Sequence, residues 1–328
     1  MKKMMGVIAI LALILGFAFL QSNKDSATEP DELPHVGILQ LTSHPALDLI
    51  NQGIMDALEE EGFIEGETMT LDFQNAQGDQ SNLNAMSAQF VSKEADVMVG
   101  IATPAAQALA NASSEIPIIL GAVTDPEGAG LVETNEQPNT NVTGVSDVTP
   151  IQEQFDLIQT ILPDAKTIGL IYSSNEDNSI VQGETAKEIA EAMGYNVVVS
   201  TIASTNDVSQ VAAVLASQVD AIWVPTDNAI ASAMNTLISE TDKQTIPVFP
   251  AVDTMVEQGG LATIGLDQYE LGKMTGKMAA EVLKGEIKPE TEPIRYLTEG
   301  TVFLNEEKAT QLNLVIPESV RERTEKKE

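Results

Sequence analysis

An α/β fold of two similar lobes, each built on a parallel sheet, follows from three features of this 328-residue sequence. Short apolar runs alternate with helical patterns along the chain, as they do when a parallel sheet is covered on both faces. The alternation restarts near the middle, and equivalent segments recur in order. Two strand-to-helix junctions match in texture: DVMVGIATPAAQ at 96–107 and DAIWVPTDNAIA at 220–231. Each passes from a buried-strand pattern through a polar corner into an alanine-rich helix start.

Taken in order, residues 35–41 (HVGILQL) read as a strand and 46–62 as a helix, with Leu47, Ile50, Ile54, Met55 and Leu58 on its apolar face and Gly62 ending it. Strand 68–73, helix 80–93 (Leu83, Met86 and Phe90 inward), strand 97–101, helix 104–113 and strand 116–120 follow. Pro104 suits a first helical turn, where its missing N–H costs nothing. Residues 127–149, rich in Gly, Pro, Asn and Thr, hold a short strand at 141–145 and read as a crossing between lobes. The second series is helix 151–162, strand 167–172, helix 179–193, strand 196–200, helix 206–216, strand 220–224, helix 228–240 and strand 246–249. Residues 262–265 (ATIG) resemble 142–145 and read as a second crossing, followed by helix 268–284 stopped by Gly285. Residues 293–297 and 301–304 read as a terminal pair of short strands supplying a third crossing, and the charged ESVRERTEKKE as a frayed tail.

The repeat carries the architecture. VGILQLTS at 36–43 matches IGLIYSSN at 168–175, and EEEGF at 59–63 matches AEAMGY at 190–195 across the same helix-ending glycine. Asp96–Ala105 matches Asp220–Ala229, and IPIILGAVTD at 116–125 matches IPVFPAVD at 246–253. Offsets of 132, 132, 124 and 130 residues preserve order and spacing. The expected division is 35–145 with 266–290 in the first lobe, 146–265 with 291–316 in the second, and a tail over 317–328. Residues 1–34 stand apart: Lys2 and Lys3 precede an apolar run of 17 residues from Met4 to Leu20, the pattern of an export signal or an uncleaved anchor with a polar tether.

Composition narrows the function. With 49 acidic against 17 basic residues and a formal charge of −32, the chain is a poor partner for nucleic acid, which is bound through Lys and Arg. It has no cysteine and two histidines, so thiolate chemistry is absent and a typical zinc site is not expected. No GxGxxG follows the first strand, and there is no GxxxxGK[ST] loop or GxSxG elbow. Neither a cofactor nor a metal is expected, and the protein reads as a binder rather than an enzyme.

Facing sheets of this kind take ligands at the carboxyl ends of their strands. The first lobe offers Thr42, Ser43 and His44, then Thr103 to Ala106, then Thr124 and Asp125, with Gln74 and Asn75 further out. The second offers Ser173, Ser174 and Asn175 with Asn178 and Ser179, then Thr226, Asp227 and Asn228, then Asp253; Asp267 follows the second crossing. None of these loops carries Lys or Arg. A ligand carboxylate would rest on helix N-termini and hydroxyls, and an ammonium on Asp227, Asp125 or Asp267. A zwitterion fits that division; a neutral sugar fits these residues too. Asp227, Asn228, Ser43, Thr103 and Asp253 equally suit helix capping, Asp125 a turn, and Tyr172, Trp223 and Phe249 core packing.

The ordered segments HVGILQLTSHPALDLINQGIMDALEEEGF, VGIATPAAQALAN, PIILGAVTDPEGAGLV, NVTGVSD, YSSNEDNS, VPTDNAIASA and GGLATIGLDQYELG resemble the substrate-binding proteins of ABC importers. The similarity is to the TrpX-like tryptophan or tyrosine group, and it runs over roughly residues 35–310. The resemblance implies a type I periplasmic-binding-protein architecture with three crossovers and closure over an aromatic amino acid. It further implies a monomer outside the cytoplasm that delivers its ligand to an ABC permease. It places Thr42, Ser43, Thr103, Ala105, Ala106, Thr124 and Asp125 around the ligand from the first lobe, with Ser173, Ser174, Asn178, Ser179, Asp227 and Asn228 from the second and Asp267 near the crossing. The lipoprotein cysteine common among Gram-positive members is missing, which favours an uncleaved N-terminal helix as the anchor. A ligand sensor of the same fold is the alternative.

Overall fold

The computed structural model of the protein describes residues 33–297 and 300–324, so the apolar run at 4–20 and the last four residues lie outside it. Among the described residues, no helix is long and apolar enough to cross a membrane.

The first lobe begins with β1 (His35–Gln40), helix α1 (Pro45–Glu60), β2 (Thr70–Asn75), α2 (Gln80–Ser92), β3 (Val97–Ile101), α3 (Thr103–Ala112), β4 (Ile118–Gly121) and β5 (Val142–Ser146). The second runs α4 (Ile151–Ile161), β6 (Thr167–Ser173), α5 (Asp177–Ala192), β7 (Asn196–Ile202), α6 (Val208–Ala216), β8 (Ala221–Val224), α7 (Asn228–Ser232), α8 (Met234–Asp242), β9 (Val248–Pro250), α9 (Asp253–Glu257) and β10 (Ala262–Gly265). Then come α10 (Gln268–Leu283), β11 (Arg295–Tyr296), β12 (Thr301–Leu304), α11 (Glu306–Gln311) and α12 (Glu318–Arg321).

The repeat is visible in strand order. The first sheet runs β11-β5-β4-β3-β1-β2 with every pair parallel, and the second β7-β6-β8-β9, also parallel. β10 continues beside β9, where Leu261 N–H donates to the Val248 carbonyl at 2.7 Å. Matching β1–β5 to β6–β10 gives one order in both lobes. Strands buried on both faces, such as VMVGI in β3 and AIWV in β8, explain the continuous apolar runs.

Three details depart from expectation. The strands at 293–297 and 301–304 do not pair with each other: Arg295–Tyr296 runs parallel to β5, while β12 is antiparallel to β10. Residues just past 290 therefore stay with the first sheet, covering the open edge of β5, and the third passage between lobes falls between β11 and β12. The helix expected over 228–240 breaks at Ala233 into α7 and α8. The tail is ordered through 324, because Val320 buries its side chain in the second lobe's core and Thr324 bridges to Val302.

Packing holds the cleft-forming elements in place. α10 lies on α1 at backbone distance: a Cβ at Gly272 would sit 2.1 Å from the Ile50 carbonyl oxygen, and one at Gly276 2.4 Å from that of Ile54. Trp223, fully buried, stacks near Phe155 with ring centroids 5.8 Å apart and donates its indole N–H to Gln154 Oε1 at 3.0 Å. Tyr172 packs on α5, where a Cβ at Gly183 would meet its ring at 2.4 Å. Both aromatic residues thus belong to the core.

Candidate functional site

A cavity of about 30 Å³ lies where strand ends of both lobes meet. From the first lobe, the walls are His44, Ala46, Leu47 and Ile50 after β1, Ala102 and Thr103 after β3, Ala122 and Thr124 after β4, and Asp147 after β5. The second lobe adds Asn178, Thr226, Asp227, Asn228, Ala231 and Val252, and Gln268 closes the set at the start of α10. The lining contains no Lys or Arg.

Side chains bridge the lobes directly around this cavity. Thr124 and Thr226 hydroxyls lie 3.1 Å apart, and Gln182 Nε2 donates to Thr124 Oγ1 at 3.4 Å. His44 Nε2 lies 3.1 Å from Asn228 Oδ1. Further out, Gln107 Nε2 donates to Asp177 Oδ2 at 3.0 Å. The lobes are therefore closed on each other.

Seven of the residues singled out in the sequence line the cavity: His44, Thr103, Thr124, Asn178, Thr226, Asp227 and Asn228. The others stand around it. Thr42 is half-buried, and its carbonyl accepts from Gln40; Ser43 is exposed and donates to Asp48 Oδ2 at 2.8 Å. Ala105 and Ala106 are fully buried, and both amides donate to the Ala102 carbonyl at 3.1 Å. That leaves Thr103, the first helical residue, as the polar face of this helix start. Ala102, before it, holds φ 77° and ψ 154°, a region that side chains other than glycine rarely enter. Asp125 takes the turn role, accepting from Gly128 N–H at 2.9 Å. Ser174 is exposed, its hydroxyl donating to Ile202, while Ser173 and Ser179 are buried behind the wall. Asp267 is exposed, caps α10 through Glu270 N–H at 3.0 Å and is not among the cavity's lining residues. Asp253 is the first residue of α9, with Val252 as its cap. Gln74 bonds Gln89, and Asn75 bonds Gln77, on the outer strand.

Asp227 proves to be a structural anchor as well as a wall. One carboxylate oxygen accepts Ile230 N–H at 2.7 Å, capping α7, and the other accepts Ser173 N–H at 2.6 Å at the end of β6. Burial raises its pKa against these donors. These two bonds fix its role as an anchor between α7 and the end of β6.

Two acids that sequence reasoning passed over matter more. Asp147 stands just past β5, accepts the Thr124 hydroxyl at 2.8 Å, and is pushed up to about 6 by burial, against that hydrogen bond. Its place at a strand's carboxyl end, within the NVTGVSD segment, was the signal that would have found it. Glu176, 6% exposed, collects three N–H donors: Asn228 N at 3.2 Å, Asn228 Nδ2 at 2.5 Å and Ala229 N at 3.0 Å. Burial first, then the Asp227 charge, push its pKa up to about 8. Nothing in the sequence marks Glu176, because its partners lie 52 and 53 residues away.

Chemically, the cavity offers one acid at its β5 side, hydroxyls and amides through its middle, and an apolar wall of Ala46, Leu47 and Ile50 on α1. Asn178 Oδ1 and His44 Nδ1 are buried without a hydrogen-bond partner, so both have capacity for one. Among the described residues, no group of three or more His, Cys, Asp or Glu side chains could hold a metal ion.

Comparison with known proteins agrees with this geometry. The family model described as ABC transporter substrate binding protein matches residues 35–327. A tyrosine-binding protein of Clostridioides difficile (strain R20291) is 36% identical over 323 residues, covering 95% of this chain and 93% of that protein. The crystal structure of an ABC domain in complex with L-Trp from Streptococcus pneumonia is 46% identical with a TM-score of 0.87, covering 89% of this chain and 99% of its own. The ligand-free, open structure of a substrate-binding protein with adhesive properties from Clostridium difficile is 38% identical over 89% of this chain and 98% of its own, but with a TM-score of 0.69. The better superposition on the ligand-bound structure accords with the direct bonds between lobes.

Proposed function

The chain belongs to the ABC transporter substrate-binding protein family, and from that premise we propose that its ligand is an aromatic amino acid held as a zwitterion, with its ammonium on Asp147. The observation that carries this reading is the polarity of the cavity: a carboxylate at the β5 end, an apolar wall on α1 and no cationic side chain between them. Asp147 has an acceptor oxygen beyond the one bonded to Thr124, and a ligand ammonium would offset the burial that raises its pKa. The ligand carboxylate rests on an uncharged donor, the Thr103 hydroxyl at the start of α3, helped by the helix dipole. Leu47, Ile50, Ala46, Ala231 and Val252 supply the apolar surface for the ring. Relatives that bind tyrosine and tryptophan support the aromatic class.

The protein works by capture and closure rather than by bond-making. Binding pulls the two lobes together, and the closed form is what an ABC permease receives outside the cytoplasmic membrane. The Lys2-Lys3 and 4–20 pattern supports export with an anchor or signal at the N-terminus, and the absence of cysteine excludes a thioether lipid. A monomer suffices, since both walls come from one chain. Calorimetry against the twenty amino acids and a set of sugars tests the reading. Saturable one-to-one binding of tryptophan or tyrosine is expected; binding of a sugar with none of any amino acid would overturn it.

A further inference from the structure

We propose that His44 selects ligands whose aromatic ring carries an N–H or O–H donor, because the Glu176–Asn228 pair fixes its imidazole with Nδ1 as an unpaired acceptor on a cavity-lining residue; the inference rests on the aromatic amino-acid reading above. Three N–H groups converge on Glu176, among them Asn228 Nδ2 at 2.5 Å. With its NH2 turned to that carboxyl group, Asn228 presents Oδ1 to His44 Nε2 at 3.1 Å. An amide oxygen only accepts, so Nε2 must carry the proton. In a neutral ring, Nδ1 is then a bare lone pair. Burial keeps the ring neutral, lowering its pKa, and His44 is 7% exposed. Nδ1 itself is buried with no partner in the protein, while the residue lines the cavity. A buried acceptor left unpaired is costly, and a ligand donor removes that cost.

Topology puts this acceptor at the ring end of the ligand. His44 follows β1 and Asp147 follows β5, and the order β5-β4-β3-β1 separates them by three strand spacings, roughly 14 Å. Subtracting a hydrogen bond of about 2.8 Å at each end leaves roughly 8 Å between two ligand atoms. That is the scale of the reach from an α-ammonium to a tyrosine phenol oxygen; the indole nitrogen of tryptophan lies closer to its ammonium and meets Nδ1 only with the ligand seated nearer to α1. The residues beside His44 in the wall, Ala46, Leu47 and Ile50, are apolar, as the flank of a ring requires. A phenyl ring has the same shape but leaves Nδ1 unpaired, and sites built to take a polar group discriminate strongly against analogues lacking it.

The test is calorimetry with L-tryptophan, L-tyrosine and L-phenylalanine, on the wild type and His44→Phe. It is run at about pH 8.5, where Glu176 with its pKa of about 8 is mostly ionised. Wild type should favour tryptophan or tyrosine over phenylalanine by roughly tenfold or more, and His44→Phe should bring the ratio close to one. The substitution also removes the His44–Asn228 bridge, but that loss weakens closure on all three ligands alike, so the ratio isolates Nδ1. Equal wild-type affinities, or discrimination that survives in His44→Phe, would overturn the inference while leaving the aromatic reading intact. Binding of none of the three by wild type would instead sink that reading and this inference with it. Because the variant could fold poorly, 15N NMR of the wild-type histidines gives a second readout. His44 should be the Nε2–H tautomer, its Nδ1 resonance moving upfield on adding tryptophan or tyrosine but not phenylalanine. A protonated Nδ1, or no shift with any of the three, would equally overturn it.

Discussion

Asp147 and Asp227 are both acids at strand ends on the same cavity, yet their hydrogen bonds give them different work. Asp227 takes one backbone N–H on each oxygen from separate elements, and Asp147 takes a hydroxyl and its own backbone N–H. Asp147→Asn should therefore lower affinity for the amino acid by about ten- to a hundredfold, the loss of one charge-assisted contact, with little change in the unfolding midpoint. Asp227→Ala should act mainly on stability, costing roughly 2–4 kcal/mol in chemical denaturation for two stranded amides, one of them the cap of α7. Glu176 adds a pH signature. Its folded pKa of about 8 lies above the ordinary 4.5, so the folded state holds the proton more tightly. That contribution is complete below about pH 4.5 and is lost as pH rises through about 8. The 49 acidic residues impose a pH trend of their own, so the comparison is wild type against Glu176→Gln: the variant's denaturation midpoint should fall less steeply between those limits.

At the level of elements, the cavity's apolar wall depends on how closely α10 seats α1. Gly272→Ala would drive a methyl into the Ile50 carbonyl, and Ile50 is itself part of that wall. The expected result is a loss of roughly 1–3 kcal/mol in stability. Weaker ligand binding should accompany it, read from calorimetry on the folded variant; unchanged binding would show that α1 tolerates the shift. Strands and helices were legible in the sequence wherever local pattern decides them. VMVGI and AIWV announce buried strands, and Gly62, Gly194 and Gly285 end helices with φ of 91°, 91° and 71°. Strand pairing at long range was not legible. Nothing local tells residues 295–296 to lie beside β5 rather than beside their neighbours at 301–304, and nothing in ESVRERT announces that Val320 enters a core. The site divides in the same way. Thr103, Thr124, Asn178, Asp227 and Asn228 could be read from their places at strand ends. The role of Glu176 arises only when the fold brings it to Asn228, and the cap that Asp267 supplies to α10 is a role its sequence position equally allowed.

The whole molecule is a repeat that has divided its labour. Five strands in one order occur in each lobe, yet the sixth is parallel in the first and antiparallel beside β10 in the second. Three passages join the lobes, and Thr124–Thr226 and His44–Asn228 bonds hold them shut on each other. Closed structure and ligand then stabilise each other, because a ligand shifts the equilibrium only by its preference for one state. Solution scattering should show a smaller radius of gyration on saturation with tryptophan or tyrosine, and no contraction at saturation would contradict closure on the ligand. The most direct test compares L-tryptophan with indole-3-propionate, which lacks the ammonium, by calorimetry on wild type and Asp147→Asn. Wild type should strongly prefer tryptophan, and Asp147→Asn should lose most of that preference; equal binding of the two compounds by wild type, or a preference untouched in the variant, would contradict the assignment of the acidic end.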